Sequence, residues 1–121
     1  MTPLSFALSC WLVGSLAAVF LHLGWPRGVA ERGHWGLAAG WQREIALWNL
    51  VLCIAILLAV LSGDRGSQRL VAITVVILSI LLGVNHGWAL RAGVRTTHAM
   101  GLVANSVGFA LVVWALRATP R

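Results

Sequence analysis

Residues 70–90, LVAITVVILSILLGVNHGWAL, decide the fold. They form an unbroken run without Asp, Glu, Lys or Arg, closed by Arg69 on one side and Arg91 on the other. An α-helix rises ~1.5 Å per residue, so about 20 apolar residues cross the ~30 Å hydrocarbon core of a bilayer. Residues 1–26, 45–63 and 96–116 are equally free of formal charge. We read transmembrane helices at about 4–24, 44–62, 69–90 and 98–117. The expected fold class is all-α, a four-transmembrane-helix bundle making a single integral membrane domain over 1–121.

The composition supports this. The chain has 121 residues, of which 60% are hydrophobic and 10% charged, with a mean hydropathy of +0.88. Soluble domains run at about 45–50% apolar and about 25% charged. A soluble domain this small could not bury so much apolar surface. That excludes an ordinary soluble enzyme and a disordered chain. The net charge is +6 and all nine basic residues are arginine. They fall between the apolar runs and do not form a face, so they read as loop anchors to lipid phosphate. The expected partner is the lipid bilayer, not nucleic acid. Seven tryptophans without a tyrosine suit an aromatic belt at headgroup level. Cys10 and Cys53 sit inside apolar runs and read as two buried thiols rather than a disulfide framework.

The connections carry ordinary punctuation. Trp25-Pro26-Arg27-Gly28 ends the first helix, Ser62-Gly63-Asp64-Arg65-Gly66-Ser67 is a tight polar turn, and Arg91-Ala92-Gly93-Val94-Arg95 joins the last two helices. The first span lacks a basic leader and exceeds the ~7–15 residues of a signal-peptide core, so we expect it to be retained. The long 27–43 connection, with Gly33, Trp35, Gly36, Gly40 and Trp41, suggests a segment lying in the interface. An even number of spans places Arg65, Arg69, Arg117 and Arg121 on one side and Arg27, Arg32, Arg43, Arg91 and Arg95 on the other. Arginine count therefore leaves both a single orientation and an antiparallel, dual-topology dimer open.

The polar side chains are more informative. His22 is near the end of helix 1, Gln42, Glu44 and Asn49 at the start of helix 2, Asn85 and His86 near the end of helix 3, and His98 and Asn105 in the first half of helix 4. All belong to the half of the membrane facing the 27–43 and 91–97 connections. Within each helix they share a face with small residues. His22 lies with Ala18, Ser15, Gly14 and Trp11, and His86 with Gly83 and Ser79. Gln42 and Asn49 lie with Cys53 and Ile56, and His98 and Asn105 with Gly101 and Gly108. Glu44 falls on another stripe, with Trp48 and Val51. Polar groups in hydrocarbon are costly and turn toward the bundle interior or a wet cavity. The set predicts a one-sided polar pocket; any single member is better explained as interhelical hydrogen bonding. The Gly83-x-x-x-Gly87 spacing predicts a close helix crossing.

Other chemistry is weakly marked. No His-x-x-x-His or Cys-x-x-Cys motif is present and no acidic cluster, so no metal site and no cofactor are expected. His22, His86 and His98 could converge; a bis-histidine haem would use His86 with His98, neither of which lies deep in the bilayer. Glu44 is the only carboxylate close to a span, and could take and release protons.

Gln42-x-Glu44-x-x-x-x-Asn49, preceded by Gly40-Trp41, resembles the second-helix pattern of uncharacterised small four-helix bacterial inner-membrane proteins, broadly DoxX-like. Gly83-x-x-His86 and Asn105 resemble that group's later motifs. The resemblance covers about residues 35–110. It implies four helices and a site near Gln42, Glu44, Asn49 and His86, and no established reaction.

Two functions follow as expectations. In the first, a small polar or amphipathic ligand binds in or passes through a pocket lined by Gln42, Glu44, Asn49, His86 and Asn105. His22 and His98 stand at its mouth, and the protein works alone, as a homodimer or within a larger membrane complex. In the second, a membrane enzyme acts on a lipid or quinone-like substrate, with His86 or Glu44 as acid/base and Asn49 and Asn105 orienting it.

Overall fold

The computed structural model describes residues 1–33, 37–93 and 95–119. It contains α1 (Pro3–Gly24), α2 (Pro26–Glu31), α3 (Ala39–Ser62), α4 (Arg65–Ala89), a 3-10 turn (Leu90–Ala92) and α5 (Thr96–Ala118). No strand occurs among the described residues. Four helices are long and apolar enough to cross a membrane: α1, α3, α4 with its 3-10 extension, and α5.

Local chemistry sets each boundary. Thr2 caps α1 by accepting from the Ser5 amide at 3.0 Å, and Pro3 opens the helix where its missing N–H costs nothing. The residue before a proline avoids helical geometry, so the chain leaves the helix at Trp25 (φ −140°) and restarts as α2 on Pro26. Gly63 ends α3 in the left-handed region at φ 67°, a conformation favouring glycine. Asp64 then caps α4, accepting from the Ser67 amide at 2.7 Å. The Ser67 hydroxyl and amide hold the Asp64 carboxyl below its ordinary value.

The starts of two spans differ from the sequence expectation. α4 begins at Arg65 rather than near 69, taking Arg65, Gly66 and Ser67 out of the expected turn. α3 starts at Ala39 rather than near 44, because Trp41, Arg43 and Glu44 stand exposed in its first two turns, with side chains that can reach the headgroup layer. The 27–43 connection contains the short helix α2. Trp35 and Gly36, read as part of an interfacial segment, lie outside the described residues, as does Arg121.

The spans pack as two antiparallel hairpins, α1 against α3 and α4 against α5. α1 also runs along α5, while α3 and α4 touch more sparingly. Leu4, Ala7, Leu8, Ile56, Ala72, Val75, Val112 and Ala115 form the apolar core. They come from the start of α1, the end of α3, the start of α4 and the end of α5, so the core fills the half nearest the termini. Large apolar side chains such as Leu58, Leu61, Leu70, Ile77, Leu81 and Val103 point outward on all sides. Such a surface belongs in lipid, and the chain has the features of a small multi-pass integral membrane protein.

Candidate functional site

The end away from the apolar core holds the polar side chains. On α1, His22 Nδ1 donates to Gln42 Oε1 of α3. On the other hairpin, His86 Nδ1 of α4 meets His98 Nδ1 of α5 at 3.2 Å, with ring centroids 5.5 Å apart. One ring of that pair must carry its proton on Nδ1 while the other presents a lone pair. A second proton would set two donors face to face. Each spanning helix therefore contributes one member of a polar pair at the same end of the bundle.

Burial is deep for groups of this kind. His98 is 0% exposed, Gln42 5% and Asn105 8%. Glycines permit the close approach. A Cβ on Gly101 would stand 2.6 Å from His86 Cδ2, so the imidazole lies directly on the α5 backbone. A Cβ on Gly33 would be 3.5 Å from His98 Nε2, which brings the chain beyond α2 over that histidine. Gly83 faces Asn105, whereas nothing lies within 4 Å of a Cβ on Gly87. The Gly83-x-x-x-Gly87 crossing thus uses one glycine.

The other sequence-selected residues divide. Asn105 donates to the Gly101 carbonyl at 2.7 Å and Asn49 to the Ile45 carbonyl at 2.9 Å, each within its own helix. Glu44 is exposed with Trp48 and Val51, on the separate stripe its spacing indicated, and Asn85 is also exposed. Cys53 is buried and Cys10 exposed, so only one thiol belongs to the interior. Among the described residues, no three His, Cys, Asp or Glu side chains come together to hold a metal ion.

Sequence reading overlooked three features. Gln68 is 3% exposed and accepts from Ser5 Oγ at 3.2 Å, making a smaller polar contact at the terminal end. Gln68 stands just outside the span drawn at 69–90, and its neighbours Ser67 and Arg69 made it read as loop. Near mid-bundle, Trp11 Nε1 and Ser15 Oγ are buried without a hydrogen-bond partner, and the indole lies on Gly108. Third, a cleft of about 240 Å³ opens beside the histidine end, lined by Leu21, Trp25, Gly28, Val29, Arg32, Thr96, Thr97 and Met100.

No family model, curated protein or solved structure matches the chain. Three imidazoles and one carboxamide exchange hydrogen bonds at one end, while the apolar core closes the other. That arrangement suits admission of a polar group from one side and disfavours a continuous aqueous path.

Proposed function

We propose that this is a non-catalytic integral membrane protein that binds a small polar or amphipathic ligand at the connection-side end of its four-helix bundle. It does so alone, as a homodimer or as an accessory subunit of a membrane complex. On the sequence resemblance alone, we place it among the small four-helix proteins of bacterial inner membranes.

One observation carries the reading: the His22–Gln42 and His86–His98 pairs draw on all four spanning helices and stand at the end opposite the apolar core. Helix association alone gains little from such contacts, since interhelical hydrogen bonds in a membrane average ~0.6 kcal/mol. Four polar side chains, two of them buried (Gln42 and His98) and two half-buried (His22 and His86), are a costly way to obtain that. A ligand hydroxyl, which both donates and accepts, can insert into either internal bond without leaving a partner unsatisfied. Gln42, His22, His86, His98 and Asn105 are the residues assigned to it. Asn49 and Glu44 belong to its periphery, since Asn49 is only half-buried and Glu44 is exposed, whereas Asn105 is buried.

The test is extraction from native membranes in mild detergent, with mass spectrometry of the small molecules retained per polypeptide. Wild type is compared with Gln42→Leu and Asn105→Leu. One class of amphiphile, held at fixed stoichiometry by wild type and lost from both variants while their helicity is unchanged, supports the proposal. Identical retention by all three contradicts it.

A further inference from the structure

The lateral cleft beside the histidine end is a different site from the polar pairs, and its chemistry is more specific. Trp25, Gly28, Val29 and Arg32 follow i, i+3, i+4, i+7 spacing along α2 and its caps, so all four face the same way. Gly28 has no side chain because the Trp25 indole occupies that space; a Cβ there would overlap the ring. The Arg32 guanidinium stacks above the same ring, 4.2 Å from its centroid. Stacking engages the flat face of a guanidinium and leaves its in-plane N–H groups available for a bidentate acceptor such as phosphate.

The opposite wall is the first turn of α5. Its N-cap, Arg95, is extended, and no side chain caps the helix. The first amides of a helix lack intrahelical partners and favour an anion. The hydroxyl-bearing side chains of Thr96 and Thr97 line the cleft beside them. Arg27, Arg32, Arg43, Arg91 and Arg95 at this end outnumber Glu31 and Glu44.

The cleft does not stop at the polar groups. Met100 belongs both to it and to a shallow, open apolar face of α5 made by Ala99, Met100, Val103 and Ala104. A cationic, hydroxyl-rich recess at the helix end therefore continues onto a shallow apolar strip along the first turns of the helix. This sequence of surfaces matches a phospholipid, with phosphate above and acyl chain below. A soluble anion would have no use for the apolar strip, and a neutral amphiphile none for the guanidinium.

We propose that the cleft binds an anionic phospholipid. Arg32, Thr96, Thr97 and the uncapped start of α5 take the phosphate, and one acyl chain lies against Ala99, Val103 and Ala104. Trp25 acts as the platform that holds the guanidinium in place. The site goes beyond the polar-pair reading and does not depend on it.

Native mass spectrometry of the full chain, released from detergent and titrated with dioleoylphosphatidylglycerol or dioleoylphosphatidylcholine, tests this. Wild type should bind one phosphatidylglycerol in preference to phosphatidylcholine. Arg32→Gln should weaken phosphatidylglycerol binding about tenfold or more, the range for hydrogen bonds to charged groups, and abolish the preference. Ala104→Phe obstructs the apolar strip without altering charge and should weaken both lipids. Arg91→Gln removes an arginine stacked on Trp88, 5.0 Å from its ring, outside the cleft, and should leave the preference intact. Gln42→Leu should leave it intact too, which separates this site from the polar pairs. Should Arg32→Gln lose helicity, Arg32→Lys keeps the charge, loses the planar stack and should show a reduced preference. Equal binding of the two lipids by wild type, or equal effects of Arg32→Gln and Arg91→Gln, overturns the proposal. Displacement of phosphatidylglycerol by equimolar glycerol 1-phosphate, with Ala104→Phe having no effect, would identify a free-anion site and also overturn it.

Discussion

Gly101→Ala probes the contact on which the α4–α5 half of the site depends. The new methyl would stand 2.6 Å from both His86 Cδ2 and His86 Cε1, well inside van der Waals contact. The ring cannot swing away freely, because Nδ1 is bonded to His98 and His98 is completely buried. Either the helices separate or the His86–His98 bond breaks. Overpacking costs about 1–3 kcal/mol and an interhelical hydrogen bond in a membrane averages ~0.6, so a loss of about 1–3 kcal/mol is expected. Gly87→Ala is the matched control. It lies on the same α4 turn as His86, and its Cβ would meet nothing within 4 Å. Helices persist in the unfolded-in-detergent state, so the helix preference of alanine largely cancels and Gly87→Ala should be near neutral. The assay is reversible unfolding from mixed micelles by increasing SDS, followed by near-UV circular dichroism. Equal stability of Gly101→Ala and Gly87→Ala would refute the reasoning, since it would mean that His86 does not pack on the α5 backbone.

Four further outcomes follow. A double-mutant cycle of His22→Ala and Gln42→Ala should show a coupling of about 0.6 kcal/mol, with ~1.7 as the ceiling seen for such bonds in a membrane; additive losses would dismiss the bond. Asp64 has a depressed carboxyl pKa, so its capping contribution is complete above the unfolded value of about 3.9 and is lost as pH falls through the lower folded value. Melting in detergent should therefore show wild type losing ground to Asp64→Asn only below about pH 4, and a parallel pH dependence would count against the cap. Glu44→Gln should shift stability by no more than about 0.5 kcal/mol, because the carboxylate is exposed; a large loss in SDS unfolding would place it inside the site. The purified chain should lack a Soret band if His86 and His98 remain bonded to each other, whereas a bis-histidine haem spectrum would require the rings to part around iron.

Much of this was legible in the residues. Charge-free runs of about 20 residues fix membrane helices because hydrocarbon offers no partner for charge or bare backbone. The inward stripes were legible for the same reason. His98, Asn105, Gln42 and Cys53 are all buried, and Glu44, assigned to a different stripe, is exposed. Pairing was not legible. Periodicity gives the face of a helix but not its neighbour, so it could not distinguish His22–Gln42 from His22 with His86. Nor could it tell that Asn49 and Asn105 would satisfy themselves on carbonyls of their own helices. The start of α3 was misplaced because Arg43 and Glu44 were read as ending the span, although long charged side chains can extend from a helical turn to the headgroups. The cleft was invisible because Arg32 and Thr96 are brought together by the α2 corner, which a charge count cannot show.

The central claim is that the connection-side half of the bundle admits polar molecules while the terminal half is sealed. Its most direct test is thiol accessibility in a background with Cys10 and Cys53 replaced by serine and alanine. A membrane-impermeant maleimide is applied to oriented vesicles carrying Asn105→Cys, Ala46→Cys, Val75→Cys or Val112→Cys. The account predicts labelling at 105 and 46 from one side only, with 75 and 112 protected from both. Equal labelling at all four positions, or protection of 105 and 46 together with 75 and 112, would contradict it.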